Sequence, residues 1–247
     1  MRGAVRVPAG GLVSDPGLAR TAIKNTLGYR FLHDGGQNLV NNLRAFWPLR
    51  GNTAPHVDLM SVAPLDTDGA GWQTGPVGLG ACTTYLTTMT AEADFLPEGI
   101  GGSAQHVSFV AAIWFHHTAI EAKYLFAHWQ ASGNKRCWTL GADSGLGAGT
   151  GKLIASFSTN GSDSADLTGT DTYSQSTWNL AALYHDADND EVALSLNGNP
   201  WEQKTAHTGG IYGGSSDLSV GSASASFPFI GSLGDAGLWV MTRPSDA

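Results

Sequence analysis

Three carboxylates, Glu92, Asp94 and Glu98, lie close enough in the sequence to raise the question of glycosidase chemistry. Such enzymes use two carboxyl groups, which retaining members hold about 5–5.5 Å apart. Residues two apart share one face of a strand, so Glu92 and Asp94 meet the spacing, but Pro97 interrupts the strand before Glu98. We therefore expect an exposed strand end here and no enzyme activity.

A second acidic group, Asp186, Asp188 and Asp190, places oxygen ligands at alternate positions, as calcium loops do. The segment has Glu191 where a calcium loop needs glycine, and Asn197 where a bidentate glutamate should stand. A solvated hairpin tip explains the same residues. We expect no cofactor, and calcium at this loop is the alternative.

The adjacent residues His116 and His117 suggest a metal site, which His128 could complete. Neighbouring residues of a strand point to opposite faces of the sheet, so the two histidines cannot easily share one ion. A zinc site is therefore disfavoured.

The chain has 8 tryptophans, and some of them could stack on sugar rings. Trp201 follows a turn that contains Asn199, which could donate hydrogen bonds to a sugar, and Trp72 is a further candidate. Trp201, Asn199 and Trp72 are the candidate glycan-binding residues. Ordinary packing is the favoured explanation of both tryptophans.

The composition indicates what kind of elements must position these residues. The chain has 247 residues, 33 of them glycine and only 14% charged, which favours short strands joined by many turns. The net charge is −8 and no cluster of Lys and Arg occurs, so we expect no binding to nucleic acid or anionic membranes. Cys82 and Cys137 are predicted to be free, buried thiols, with one disulfide as the alternative.

Alternating apolar residues predict ten strands, with no strand–helix alternation between them. Asn197-Gly198 is a strong turn signal after the strand Glu191–Leu196. The stretches Ala142–Gly151 and Asn160–Thr177 are predicted to be loops. The predicted strands are Leu43–Pro48, Thr83–Met89, His106–His117, Tyr124–Trp129, Cys137–Leu140, Lys152–Ser158, Trp178–His185, Glu191–Leu196, Leu218–Gly221 and Gly231–Met241.

Residues 1–40 differ from the rest and are predicted to form an arm. Asp15 and Pro16 are a good helix start, and Gly28 can close the helix. Three turns are too short to be stable alone, so this helix must dock on its own domain or on another subunit. Its apolar stripe consists of Leu18, Ala22, Ile23 and Leu27.

Several segments from residue 41 onward resemble the concanavalin A-like, laminin-G-like jelly-roll domains. The opening strand Leu43–Leu49 and the central strand His106–Trp114 resemble theirs. The hairpin formed by Trp178–Tyr184 and Glu191–Gly198 is similar to their most diagnostic one, and Phe229–Trp239 resembles their closing strand.

The resemblance implies an all-β fold of two antiparallel sheets packed face to face, over residues 41–247. It also implies that the first and last strands lie side by side. The tryptophans that match core positions of the family pattern are Trp47, Trp114, Trp178 and Trp239.

This fold serves several functions, so the choice rests on other features. The first segment lacks the apolar run of a signal peptide, from which we expect no export. The arm then favours a non-catalytic virion structural protein, such as a phage head-decoration or tail-associated subunit, that contacts virion or self subunits through its arm. The alternative is a carbohydrate-binding lectin-type module of a cell-surface or secreted protein.

The second alternative is a glycoside hydrolase of the same fold. Some glucanases of this fold carry a Glu-x-Asp-x-x-Glu or Glu-x-Asp-x-Glu strand, and the last glutamate is one residue too far along here.

Overall fold

The computed structural model describes residues 43–49, 71–74, 80–84, 89–91, 104–105, 108–117, 123–142, 151–189, 191–204, 210–214, 216, 218–223 and 229–240. The predicted arm, the carboxylates between residues 92 and 98, Asp190 and most of the predicted loop Ala142–Gly151 lie outside these residues. Among the described residues there is no helix with the length and apolar character needed to cross a membrane.

All regular elements of the described residues are strands, which confirms the predicted all-β class. Their bounds are β1 Leu43–Trp47, β2 Gly71–Thr74, β3 Gly80–Thr84, β4 Met89–Ala91, β5 Ala104–Gln105, β6 Phe109–His117, β7 Lys123–Gln130, β8 Lys135–Ala142, β9 Lys152–Phe157, β10 Ala165–Thr172, β11 Trp178–Asp186, β12 Glu191–Leu196, β13 Glu202–Lys204, β14 Ile211–Tyr212, β15 Leu218–Val220 and β16 Gly231–Val240.

The strands form two large antiparallel sheets. The first, sheet A, has the order β13-β12-β11-β6-β16-β3-β2, with β1 also paired to β16. The small ribbon of β14 and β5 is sheet B, and the second large sheet, sheet C, has the order β10-β9-β8-β7-β15-β4. This is the two-sheet sandwich that the sequence predicted.

The last described strand, β16, lies beside the first, β1. Its second half pairs with β1, where Trp47 lies opposite Ala236, which confirms the predicted neighbourhood of the first and last strands. Its first half pairs with β3, and β6 follows its other side. At Gly231 the backbone has φ +152°, and a Cβ there would lie 2.1 Å from the carbonyl oxygen of His116. Only glycine allows the two strands to approach this closely.

The main core lies between the sheets and is built by side chains that alternate along each strand. On β6 the residues Phe109, Ile113 and Phe115 are buried in it. Phe109 contacts the ring of Trp138 from sheet C at a centroid distance of 5.0 Å. Each fully buried Phe or Ile contributes about 1.5–3 kcal/mol through removal of apolar area from water.

The outer face of sheet A is also apolar along much of its length. Val110, Tyr184 and Trp239 belong to a second cluster of buried residues on this face. Because both faces of β6 carry apolar residues, its sequence reads as a continuous apolar run rather than a strict alternation.

The secondary structure predicted for two segments was wrong. The proposed strand Thr83–Met89 is two short strands, since β3 belongs to sheet A and β4 to sheet C. The proposed loop Asn160–Thr177 contains β10, which pairs with β9 at the edge of sheet C. Of the apolar side chains of β10 only Leu167 is buried, so the strand lacks the apolar alternation that would have revealed it.

Cys137 is a reduced, buried thiol on β8, as predicted. Its sulfur accepts a hydrogen bond from the backbone N–H of Gly214 at 3.2 Å. The side chain of Cys82 lies outside the described residues.

Candidate functional site

The connection between β12 and β13 begins with a tight turn. Asn197 and Gly198 have φ values of 57° and 78°, and the N–H of Asn199 donates to the carbonyl of Leu196 at 3.0 Å. Positive φ at both central residues is typical of a type I′ turn, which Asn-Gly favours, so this predicted turn is confirmed. The Asn197 side chain also accepts a hydrogen bond from the N–H of Leu180 at 2.8 Å, which fixes the turn to β11.

A hydrogen bond joins this connection to the other sheet. The Asn199 side-chain amide donates to Oδ2 of Asp171 on β10 at 2.7 Å. Asn199 is exposed and Asp171 is half-exposed. An amide has two N–H donors and an acceptor oxygen, and a carboxylate has two oxygens, so the pair retains capacity for further hydrogen bonds at the surface.

Trp201 is half-exposed in the same connection. Its ring lies 5.8 Å from that of Tyr184, so one part of the indole packs on the outer face of sheet A. The Cα atoms of Trp201 and Asn199 lie within about 7 Å, because two residues span no more. We call the three residues Asp171, Asn199 and Trp201 the rim.

Glu202 holds the two sides of the rim together. Its carboxylate accepts hydrogen bonds from the backbone N–H groups of Thr170 and Asp171, the second at 3.0 Å. The register of β10 against β9 shifts between Thr168 and Thr172. This bulge turns two successive N–H groups of an edge strand toward one acceptor.

The pKa of Glu202 is lowered from its ordinary value of 4.5. Burial alone would raise the pKa, but hydrogen bonds from the Thr170 and Asp171 backbone, and further from the Thr170 hydroxyl, outweigh it. The positive charge of Lys152 lowers the pKa further. The carboxylate form is therefore the one that the site stabilises.

The structure separates Trp72 from the other two predicted glycan-binding residues. Trp72 belongs to β2, and β2 and β13 are the opposite ends of the strand order of sheet A. Six strand spacings of about 4.8 Å place them about 29 Å apart along the sheet. Trp72 therefore does not share a site with Trp201 and Asn199.

Asp186, the last residue of β11, stabilises the acidic loop that follows it. Oδ1 of Asp186 accepts hydrogen bonds from the N–H groups of Asp188 and Asn189 at 3.0 and 3.2 Å, and Oδ2 accepts from the Asn189 amide at 2.8 Å. Burial alone would raise the pKa of Asp186, but hydrogen bonds from Asn189, Tyr184 and Asp188 lower it from its ordinary value of 3.8. In the described part of the chain no three His, Cys, Asp or Glu residues are grouped as metal ligands.

The three candidate histidines occupy three different surroundings. His117 is buried between the sheets, where Nδ1 lies 2.9 Å from the Tyr173 hydroxyl and the ring stacks on Phe229. His116 is half-exposed on the opposite face of β6, as alternation requires. His128 lies on β7 of sheet C, so the described residues do not bring the three together.

Two tryptophans that were expected in the core are half-exposed. Trp47 and Trp239 are buried, but Trp114 and Trp178 retain exposed surface. Trp178 lies 5.5 Å from the ring of His116, its cross-strand partner. The prediction was wrong because both faces of β6 and β11 are apolar, and the pattern does not indicate which face meets sheet C. We call Trp114, His116 and Trp178 the outer-face cluster.

No protein-family model matches the chain, and no curated protein has a matching sequence. Solved structures do match its fold. Domain 4 of AbnA, a GH43 extracellular arabinanase from Geobacillus stearothermophilus, in complex with arabinotriose, has a TM-score of 0.58 at 14% identity. The match covers 83% of this chain and 96% of that domain.

The ligand-binding domain of botulinum neurotoxin serotype D, in complex with N-acetylneuraminic acid, gives a TM-score of 0.58 at 8% identity over 85% of this chain. The serotype G binding domain gives 0.55 at 12% identity over 82%. These matches cover 50% and 48% of the toxin domains, so this chain spans about half of their length. The similarities confirm the jelly-roll sandwich fold.

Proposed function

We propose that this protein is a non-catalytic, lectin-like module that binds a glycan at the rim. The observation that carries the proposal is the hydrogen-bonded pair of Asn199 and Asp171 at the surface, together with the half-exposed Trp201 two residues after Asn199. A sugar presents an apolar C–H face and a periphery of hydroxyl groups. An indole ring packs against the C–H face, and a prepositioned amide and carboxylate bind the hydroxyl groups.

The rigidity of the rim supports this function. The type I′ turn, the Asn197 hydrogen bond to β11 and the Glu202 bridge to β10 fix the residues of both sheets before any ligand arrives. Preorganised groups lose less conformational entropy on binding.

The state of Glu202 argues against hydrolysis at the rim. A glycosidase needs one carboxylic acid that stays protonated, which requires a raised pKa. The pKa of Glu202 is lowered, and its oxygens accept hydrogen bonds from the backbone. Glu202 therefore lacks the property that a general acid requires.

Structures with this fold favour the lectin-like role over the virion role. The AbnA domain was solved with arabinotriose and the serotype D toxin domain with N-acetylneuraminic acid. The AbnA domain belongs to an extracellular enzyme, which favours a setting outside the cell for this module as well. The virion role stays a prediction from sequence.

A glycan array followed by titration calorimetry tests the proposal. We expect the protein to bind at least one oligosaccharide, and Trp201→Ala to weaken that binding about tenfold or more, as removal of a central aromatic contact does. Trp178→Ala is the matched control, because it removes another half-exposed indole, outside the rim, and it should change affinity less than twofold.

Two results would contradict the proposal. The absence of any glycan ligand would exclude the function. Equal losses in Trp201→Ala and Trp178→Ala would show that the rim is not the binding site.

A further inference from the structure

The bulge in β10 creates an anion-binding feature that the protein fills itself. Two successive backbone N–H groups, those of Thr170 and Asp171, converge on one side of the strand. Convergent backbone N–H groups are a common binding site for carboxylates and phosphates. In this protein the carboxylate of Glu202 is bound there.

Among the described residues, the groups that would bind an acidic sugar at the rim already have partners. The N–H pair is occupied, and the nearest titratable side chain of the rim, Asp171, is an acid that already binds Asn199. Lys152, a described cation of this region, already acts on Glu202 through its positive charge. The chain as a whole carries a net charge of −8, which adds long-range repulsion of anions.

We infer that the rim selects uncharged glycans and rejects acidic ones, and that Glu202 and Asp171 are the residues that set this selectivity. The inference rests on the proposed glycan-binding function and adds the ligand class to it. Glu202 acts as a built-in anion that takes the place an acidic ligand would need, and Asp171 accepts hydroxyl hydrogen bonds from a neutral one.

The test compares ligands that differ in charge but little in size. The array includes lactose, neutral arabino-oligosaccharides, sialyllactose and the methyl ester of sialyllactose. We expect the ester to bind at least about threefold more tightly than the acid, the effect expected of exposed like charges. The difference should shrink in 1 M salt, because salt screens charge repulsion but not a steric clash.

Two variants assign the selectivity to residues. Glu202→Gln removes one negative charge beside the rim and Asp171→Asn removes one within it, and each should bring the acid and the ester closer in affinity. Asp163→Asn is the charge-matched control. Asp163 is exposed and precedes β10, about 25 Å of extended chain from Asp171, so its loss should leave the ratio unchanged.

The outcomes separate the inference from the function on which it rests. Tighter binding of the acid than of its ester would overturn the inference and leave glycan binding intact. An unchanged ratio in Asp171→Asn, or an effect of Asp163→Asn equal to it, would also overturn the assignment. If no probe on the array binds, both the inference and the proposed glycan-binding function are wrong. If Glu202→Gln does not fold, the Asp171→Asn variant and the comparison of the acid with its ester still test the inference.

Discussion

The rim and the outer-face cluster both present a half-exposed tryptophan, yet their surroundings differ. At the rim, Trp201 lies two residues after Asn199, and the Asn199 side chain binds Asp171 of the other sheet. In the outer-face cluster, Trp178 packs on His116 of the adjacent strand within one sheet. Cross-strand pairing of this kind stabilises a sheet without any ligand. Exposure of an aromatic ring is thus a weaker indication of binding than the polar groups placed around it.

Glycine substitutions provide the sharpest contrast between the two regions. Gly231→Ala places a Cβ 2.1 Å from the carbonyl oxygen of His116, which is a residue of the outer-face cluster. Strands β16 and β6 must therefore move apart at this position. We expect a loss of about 3 kcal/mol or more in the free energy of unfolding, measured by urea denaturation.

Gly198→Ala is the matched substitution at the rim. It has φ +78° but no atom within 4 Å of the added Cβ, so only the left-handed backbone opposes it, at about 1–2 kcal/mol. Equal losses in the two variants would show that the contact with His116 does not determine the larger effect.

Trp178→Ala should reduce stability and spare binding. It removes a half-buried ring from its contact with His116, so we expect a loss of about 1–2 kcal/mol in the free energy of unfolding. A variant that keeps its stability but no longer binds the glycan would reverse the roles that we assign to the two regions.

Acid should destabilise the rim bridge. The pKa of Glu202 is lowered in the folded protein, so the carboxylate stabilises the fold above its ordinary pKa of 4.5, and this contribution is lost as the pH falls below that value. The effect should be about 1 kcal/mol or less, since Glu202 is half-exposed. Urea titrations at pH 7 and pH 3 measure it.

Glu202→Gln should show a smaller loss between these two pH values than the wild-type protein does. The change should not vanish, because the lowered pKa of Asp186 contributes with the same sign. An identical loss in the variant would contradict the assignment to Glu202.

The smallest effect is expected from chelation. Both oxygens of Asp186 accept hydrogen bonds from its own loop. We therefore expect EDTA to leave the melting temperature and the glycan affinity unchanged. A fall of several degrees would indicate a structural metal, because a bound ion stabilises the folded state by mass action.

The sequence predicted those strands whose apolar residues follow a clear pattern. Glu191–Leu196 is a strand with the predicted bounds, and the Asn197-Gly198 turn follows it, because both signals are local. The edge strand β10 was missed because it buries so little apolar surface. Asn199 was a candidate, but its partner Asp171 lies 28 residues away on that missed strand, and no local signal joins the two.

The bridge from Glu202 also bears on the solubility of the protein. Among the described strands, β10 and β13 lie at the ends of the two sheets, where unpaired backbone groups can recruit a strand from another molecule. Because the Glu202 carboxylate accepts hydrogen bonds from two N–H groups of β10, those groups cannot pair with an incoming strand. The bulge also bends β10, so that its edge is less suited to pairing with a flat strand. The interaction that orders the rim therefore also protects this edge of the sandwich against aggregation.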